Sequence, residues 1–261
     1  SSYDYEHKQW EGGKTYRFMT YSDGNGALNS EDVTFVSAYD DNNTTWGLEI
    51  EDYVAGAKDL LVGSTNGEVT TNSELTNHTT VNLGLNHALS RVQFVFFTNI
   101  ATGCFLKIQD FSVDAKTSGD LVVKNSTSSA ARSIAWTPKT NGSYHFTDPE
   151  AISGSTTPDL TDYDNTGYVL LPSTINKVVY EAYVIPQSNA DLKVSITIQT
   201  LGSDGSVLST IPFENISLNL PNHDSWLPGN IYSYQAELGT SSHDIHFSTI
   251  VYNWVDDSYG D

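Results

Sequence analysis

Apolar and polar residues alternate along almost the whole chain in short segments, which are separated by clusters of Gly, Asn, Asp, Ser and Pro. Successive side chains of a β-strand point to opposite faces of a sheet, so this alternation predicts strands joined by turns. A mainly β fold is therefore expected. The predicted strands cover residues 14–21, 33–39, 81–85, 88–97, 104–113, 178–185, 192–201, 207–220, 231–238 and 245–255.

Two of these segments predict more than a strand. In 88–97, Phe94 and Phe96 point to one face while Val95 points to the other, which indicates a strand between two layers. Segment 192–201 alternates cleanly and is followed by an Asp204-Gly205 pair, which hairpin turns with positive φ prefer. A hairpin is expected there.

Helical spacing is found in one place. Ile50, Val54, Ala57 and Leu61 follow one another at steps of four, three and four, which predicts one short helix of one to three turns. Polar stretches predict loops at residues 40–45, 64–80, 125–131 and 153–166.

The charge of the chain excludes several classes of partner. Its 261 residues carry 32 acidic and 12 basic side chains, a formal charge of −20, which would repel phosphate backbones and anionic lipid heads. No partner role with nucleic acid or a membrane surface is expected. The residues at the start lack the layout of a signal peptide, yet the Ser-, Thr-, Asn- and Tyr-rich composition suits an exported protein.

Candidate reactive groups are few. Cys104 lies on an alternating apolar face and is expected to be a buried, inert core residue. His243 and His246 would leave a strand on opposite faces, and the acidic run 162–167 lacks the later ligands of a calcium loop. The sequence contains no common nucleotide-binding or hydrolase motif. We therefore predict no catalytic, cofactor-binding or metal-binding residues.

The tryptophans allow two interpretations. Trp10, Trp46, Trp136 and Trp226 could stack on sugars at the surface, although core packing is favoured. Residues 10–16 and 226–232 also share the pattern Trp-x-x-Gly-x-x-Tyr, each followed two residues later by another aromatic. This echo indicates related β modules, with coincidence as the alternative.

One motif leads to a family. Residues His87-Ala88-Leu89-Ser90-Arg91-Val92, placed between two predicted strands, resemble the signature of the fimbrillin-like family, the type V pilins of anaerobic Gram-negative gut and mouth bacteria. Stretches 10–21, 168–172, 226–238 and 245–254 are similar to the family's other motifs and lie in the family's order.

The resemblance implies an all-β fold of two tandem transthyretin-like Greek-key β-sandwich domains. Residues 1–100 would form the first, lacking its first strand, and residues 101–261 the second, with the boundary near 99–103. It also implies export as an outer-membrane lipoprotein, arginine-specific removal of a leading strand, and polymerisation by donor-strand exchange. No lipobox Cys or Arg-bearing first strand precedes Trp10 in this sequence.

The end of the chain is the predicted polymerisation strand. It alternates on both faces, as a strand entering another subunit's groove must. Alternatively, this strand completes its own domain. Its residues are Ile245, Phe247, Thr249 and Val251 on one face and Ile250, Tyr252 and Trp254 on the other.

Three functions follow in order of preference. The first is a structural subunit of a surface pilus, without catalysis or cofactor, whose partners are other pilin subunits and, for adhesion, host or bacterial surface proteins or glycans. The second is a surface glycan-binding lipoprotein with exposed aromatics. An enzyme comes third, because abundant carboxylates alone could provide a glycosidase pair.

Overall fold

In the computed structural model of the chain, the described residues are 11–26, 28–71, 81–98, 104–127, 132–144, 168–170, 173–188, 192–218, 224–239 and 245–254. Within these ranges the chain is all-β, and its one helical element is a 3-10 turn at Ser30–Asp32. The strands, in chain order, are β1 (Thr15–Tyr16), β2 (Met19–Asp23), β3 (Val33–Val36), β4 (Thr45–Val54), β5 (Leu60–Ser64), β6 (Val69–Thr70), β7 (Gly84–His87), β8 (Ser90–Thr98), β9 (Cys104–Lys116), β10 (Ser118–Ser126), β11 (Ser133–Pro138), β12 (Asn141–Tyr144), β13 (Tyr168–Leu170), β14 (Ser173–Val184), β15 (Lys193–Gly202), β16 (Val207–Ser217), β17 (Asn230–Leu238) and β18 (Ser248–Asn253).

The first sandwich packs the sheet β2-β5-β7 on the sheet β11-β10-β4-β3. Its core lies between them, with Leu48 and Ile50 of β4 and Leu121 of β10 packed against Leu60 and Val62 of β5. Strands β1 and β6 form a separate two-stranded ribbon.

The second sandwich packs the sheet β14-β8-β17-β18 on the sheet β12-β9-β15-β16, with β13 also paired to β9. Phe94 and Phe96 of β8 meet Val194 and Ile196 of β15 in its core. Val95, on the opposite face of β8, is also buried, so the prediction of a strand apolar on both sides is confirmed.

The sheets do not divide at residues 99–103, which lie outside the described residues. β8, from before that gap, belongs to the second sandwich, whereas β10 and β11, from after it, join β4 in the first. A division into 1–100 and 101–261 therefore cuts through both sandwiches.

The physical reason for this arrangement is a hairpin whose pairing runs from one sandwich into the other. β9 and β10 pair with β11 and β12 in one register, from Val113 opposite Tyr144 to Lys124 opposite Ser133. Backbone hydrogen bonds from Thr117 N to Thr140 O and from Lys139 N to Ser118 O carry this ladder across the junction. One hairpin thus contributes strands to both sandwiches.

The helix predicted over 50–61 is wrong. Ile50 and Val54 belong to β4, which pairs with β3 on one side and with β10 on the other, and Leu61 belongs to β5. Ile50 is buried whereas Val54 is 63% exposed, so these residues do not share one face. Pairing with strands distant in sequence overrides the local spacing.

The predicted hairpin is confirmed. β15 and β16 pair in antiparallel fashion, and the turn between them places Gly205 at a φ of 83°. The backbone N–H of Gly202 donates to Ser206 O and closes the turn.

Gly47 of β4 gives a test of the first sandwich. A Cβ at this position would lie 1.8 Å from the backbone oxygen of Val123 on β10. We expect Gly47→Ala to lower the free energy of unfolding by about 3 kcal/mol, because the clash is with backbone that cannot move alone. Chemical denaturation would measure the change.

Gly84 of β7 is the matched control. A Cβ there would meet no heavy atom closer than 3.9 Å, and Gly84→Ala should stay within about 0.5 kcal/mol of the unchanged chain. Equal effects at the two positions would contradict the packing described for β4.

Candidate functional site

The six residues His87 to Val92 cross from one sandwich to the other. β7 of the first sandwich ends at His87, Ala88 and Leu89 are buried in the first core, and β8 of the second sandwich begins at Ser90. The indole Nε1 of Trp136 donates to Ala88 O at 2.6 Å, and Ala88 N donates to Leu60 O at 2.8 Å. The crossing segment is therefore held by its backbone.

A turn at 226–229 binds to this crossing segment. Gly229 N donates to Leu89 O at 3.0 Å, and Ser90 Oγ donates to Leu227 O at 2.8 Å. Gly229 has a φ of 70°, in the left-handed region that favours glycine. Two motifs that are far apart in sequence thus meet through one main-chain hydrogen bond and one bond from the Ser90 hydroxyl.

The tyrosine of the same turn closes it. Tyr232 Oη accepts a hydrogen bond from Leu227 N at 2.8 Å and donates to Ser225 O at 3.0 Å. Trp226 Nε1 donates to Tyr234 Oη at 2.8 Å, so the hydroxyls of both Tyr232 and Tyr234 form hydrogen bonds with the turn. Burial raises the pKa of Tyr234, and the hydroxyl stays protonated.

The same closure occurs at the start of the chain. Tyr16 Oη accepts from Glu11 N at 2.7 Å, and Gly13 has a φ of 72°. In both places the tyrosine bonds to the residue five positions earlier, across a glycine with positive φ. The echo in the sequence is therefore a repeated structural device, although Trp10 itself lies outside the described residues.

Trp254, just after β18, reaches the junction between the sandwiches. Its backbone N–H donates to Gly229 O at 2.8 Å. Its ring stacks on the imidazole of His87 with centroids 3.7 Å apart and planes 9° apart, and on Tyr183 at 5.5 Å. The guanidinium of Arg91 lies 5.8 Å from the Trp254 ring.

Charged groups surround this stack. Asp59 Oδ2 lies 2.5 Å from His87 Nδ1, and Arg91 Nη2 lies 2.7 Å from Glu181 Oε2. Burial raises the pKa of Tyr183, and Arg91 partly opposes the shift. Within the described part of the chain, Asp59 Oδ1 and Arg91 Nε are buried without a hydrogen-bond partner. We call Asp59, His87, Arg91, Tyr183, Glu181 and Trp254 the junction cluster.

β18 is the outermost strand of its sheet. Among the described strands it pairs with β17 only, and its sequence Ser-Thr-Ile-Val-Tyr-Asn has no charge and no proline. Phe247 and Val251 pack on the second core, whereas Ile250 and Tyr252 are 42% and 51% exposed. The structure thus shows this strand completing its own sheet, and its use in polymerisation stays a prediction.

The other predicted polymerisation residues divide in the same way. Ile245 is buried with the second core, Thr249 is partly buried opposite Tyr234, and the side chain of Trp254 lies in the junction cluster. The alternation in the sequence predicted the two faces of the strand. The contact of Trp254 with His87 was missed, because nothing local links residues so far apart.

The family follows from the comparisons with known proteins. A family model described as fimbrillin-like matches residues 2–254 of this chain. The chain belongs to the fimbrillin-like family.

Three solved structures resemble this fimbrillin-like chain. A fimbrial protein from Bacteroides vulgatus is 14% identical, with 91% of this chain and 77% of that chain covered and a TM-score of 0.58. A Bacteroides uniformis protein, named as a candidate cell adhesion protein, is 12% identical, with coverage of 93% and 74% and a TM-score of 0.46. The fimbrial anchor protein Mfa2 from Porphyromonas gingivalis is 6% identical, with coverage of 94% and 76% and a TM-score of 0.33. No curated protein matches the sequence.

Three of the stretches that resemble fimbrillin-like motifs meet at the junction. The crossing segment at 87–92, the turn at 226–232 and Trp254 are separate in sequence but contact one another in the fold. Their spacing in the sequence gave no sign of this contact.

Two of the tryptophans that the structure describes are buried. Trp46 and Trp226 are buried, so neither can stack on a sugar. Trp136 is partly buried against the first core. The core interpretation is confirmed for Trp46 and Trp226.

The structure also places the candidate reactive groups. Cys104, the first residue of β9, is only partly buried, so the expectation of a buried thiol was wrong. His246 is exposed, while His243 and residues 162–167 lie outside the described residues. Over the described ranges, no group of three His, Cys, Asp or Glu side chains could hold a metal ion. Nor does any helix there have the length and hydropathy needed to cross a bilayer.

A cleft of about 720 Å³ lies beside the hairpin that joins the sandwiches. Of the described residues that line it, Asp114 is the one acid, whereas glycosidic hydrolysis needs two carboxylates. Gln187 in the same cleft uses its side-chain amide to bond both backbone groups of Lys116. The side chain of Gln187 therefore supports the hairpin, and the described lining of the cleft contains no pair of acids.

Tyr232 provides a test of the turn at 226–229. Tyr232→Phe removes a hydroxyl that accepts from Leu227 N and donates to Ser225 O, leaving both backbone groups without that partner. We expect the free energy of unfolding to fall by about 2 kcal/mol. Chemical denaturation would measure it.

Tyr252→Phe is the control, since that side chain is 51% exposed on β18. It should change stability by less than about 0.5 kcal/mol. If both substitutions had the same small effect, the hydroxyl of Tyr232 would not close the turn.

Proposed function

We propose that this fimbrillin-like chain is a structural subunit of a cell-surface fimbria, and that it joins other subunits by exchange of β-strands, with β18 as the strand that moves. The proposal rests on the position and the sequence of β18. It lies at a sheet edge, is uncharged, and alternates apolar side chains over both faces. We infer no catalytic function.

The packing of β18 shows what its departure would expose. Phe247 meets Phe94, Phe96 and Tyr234 edge-to-face, with ring centroids 5.7, 6.1 and 6.4 Å apart. If β18 left, these rings and one edge of β17 would face water. An incoming strand with the same alternation would restore both the backbone bonds and the burial.

The first sandwich offers an acceptor edge. Its smaller sheet has three strands and ends, among the described strands, at β7. Leu83 and Leu85 at this edge are 41% and 51% exposed. An apolar edge next to a short sheet suits a strand donated by a second copy of the chain.

The edge of the second sandwich formed by β16 is less suited to strand exchange. β16 carries Pro212, which has no N–H to donate, and a bulge at which Asn215 has a φ of 57°. Proline and bulges are devices that keep edge strands from pairing with other chains. β18 has neither, which supports its role as the mobile strand.

A reversible lock on β18 would test the proposal. Ser233 of β17 lies directly opposite Ile250 of β18, so Ser233→Cys with Ile250→Cys, made in a Cys104→Ser background, should form a disulfide between the two strands. We expect the oxidised variant to remain monomeric and the reduced one to give the oligomer ladder of the unchanged chain on a mildly denaturing gel.

The matched control is Gln199→Cys with Thr210→Cys, which would link β15 to β16 at another directly opposed pair. This variant should form oligomers in both redox states. Deletion of residues 245–261 should also abolish the ladder. Oligomers of the oxidised β17–β18 variant at the level of the control would refute exchange of β18.

A further inference from the structure

The end of β18 is fastened outside its own sheet. Along its length β18 pairs with β17, and the backbone N–H of the next described residue, Trp254, extends this pairing to Gly229 O. The side chain of Trp254, however, stacks on His87 of the first sandwich. His87 is 10% exposed at its side chain, and the ring planes are 9° apart. The end of the strand that would move in the proposed exchange is therefore held by an imidazole, the side chain whose ordinary pKa lies closest to neutral pH.

Among the described residues, the charged and titratable groups near His87 come from three parts of the chain. Asp59 precedes β5, Arg91 lies on β8, and Glu181 and Tyr183 lie on β14. Two carboxylates face one guanidinium, and Arg91 is already paired with Glu181 at 2.7 Å. A proton on His87 would balance the remaining charge of Asp59.

Tyr183 adds no charge to this balance at neutral pH. Burial raises the pKa of its hydroxyl, so the ring that stacks on Trp254 stays neutral. Arg91, 5.8 Å from the Trp254 ring, repels a charged imidazole, but its pairing with Glu181 offsets much of that repulsion.

We propose that His87 is a proton-operated latch on the C-terminal strand: the protonated imidazole holds Trp254 and the end of β18 in the junction cluster, and loss of the proton loosens them. The charged ring has the π face of Trp254 on one side and the Asp59 carboxylate at 2.5 Å. When Trp254 leaves, the imidazolium loses the π face, and water screens its attraction to Asp59.

The direction of the pH effect follows from this difference. The closed latch binds the proton more strongly than the open one, so the added stability is present in mild acid and is lost as pH rises through the titration of His87. β18 should therefore open more readily in mildly alkaline than in mildly acidic solution. The consequence for assembly rests on the proposed exchange of β18, but the latch itself is a property of the monomer.

Hydrogen exchange on the monomeric full chain tests the latch. The amides of β18 would be followed by mass spectrometry between about pH 5.5 and about pH 8, after correction for the intrinsic exchange rates. We expect the opening of β18 to increase about tenfold over this range, an effect between those of an exposed and a fully desolvated cation–π contact, while β8 stays protected.

Two substitutions and one control distinguish the effect of the proton on His87 from the effect of ring stacking. His87→Phe keeps an aromatic ring against Trp254 but cannot titrate, and the opening of β18 should become independent of pH. His246→Phe removes an exposed histidine close to β18 and should leave the pH dependence of the unchanged chain intact. Trp254→Leu, which keeps an apolar side chain but removes the π face, should also abolish the dependence.

Three results would overturn the latch: no pH dependence in the unchanged chain, the same dependence in His87→Phe, or parallel opening of β8 and β18, which would mean global unfolding. Failure of the latch is distinct from failure of strand exchange. If the oxidised β17–β18 variant still formed oligomers, the proposed function would be wrong. The pH dependence of hydrogen exchange in the monomer would still support the latch.

Discussion

The continuous backbone ladder of residues 113–144 is the constraint on which the rest of the fold depends. Val113 pairs with Tyr144 in the second sandwich, Lys124 pairs with Ser133 in the first, and the register does not change between them. Because a shift of one residue would turn every side chain to the opposite face, both cores need this single register. Beyond the pairing of β9 with β15, the side chain of Gln187 takes the place of a strand beside β9. It bonds both backbone groups of Lys116.

The junction beside this hairpin explains why the family motifs occur together. The segment His87 to Val92 must cross between sandwiches with its backbone polar groups satisfied, since unpaired groups at a buried crossing are costly. Leu60, Trp136 and Gly229 provide those bonds. Trp254 then covers His87, so the last strand is anchored to the element where the two sandwiches meet.

The edges of the sheets differ in a way that bears on function. β16 is long but is interrupted by Pro212 and by a bulge, whereas β18 is short, uncharged and regular. A subunit that exchanges strands needs one edge that can pair and others that cannot. In the proposed exchange, the junction cluster would hold the end of β18 in place until assembly.

The sequence by itself determined the all-β class, the β15–β16 hairpin, the two faces of β18 and the glycine–tyrosine closures at 11–16 and 227–232, because each depends on residues near one another in the chain. The tertiary structure alone decided the membership of β10 and β11, the loss of the helix expected at 50–61 and the contact of Trp254 with His87. Asn125, for example, has the polarity of a loop residue, yet it is buried in β10 because its side chain donates to Ser64 Oγ and Thr65 O. Local periodicity reports which face a residue would take, but pairing between distant strands fixes which sheet that face belongs to.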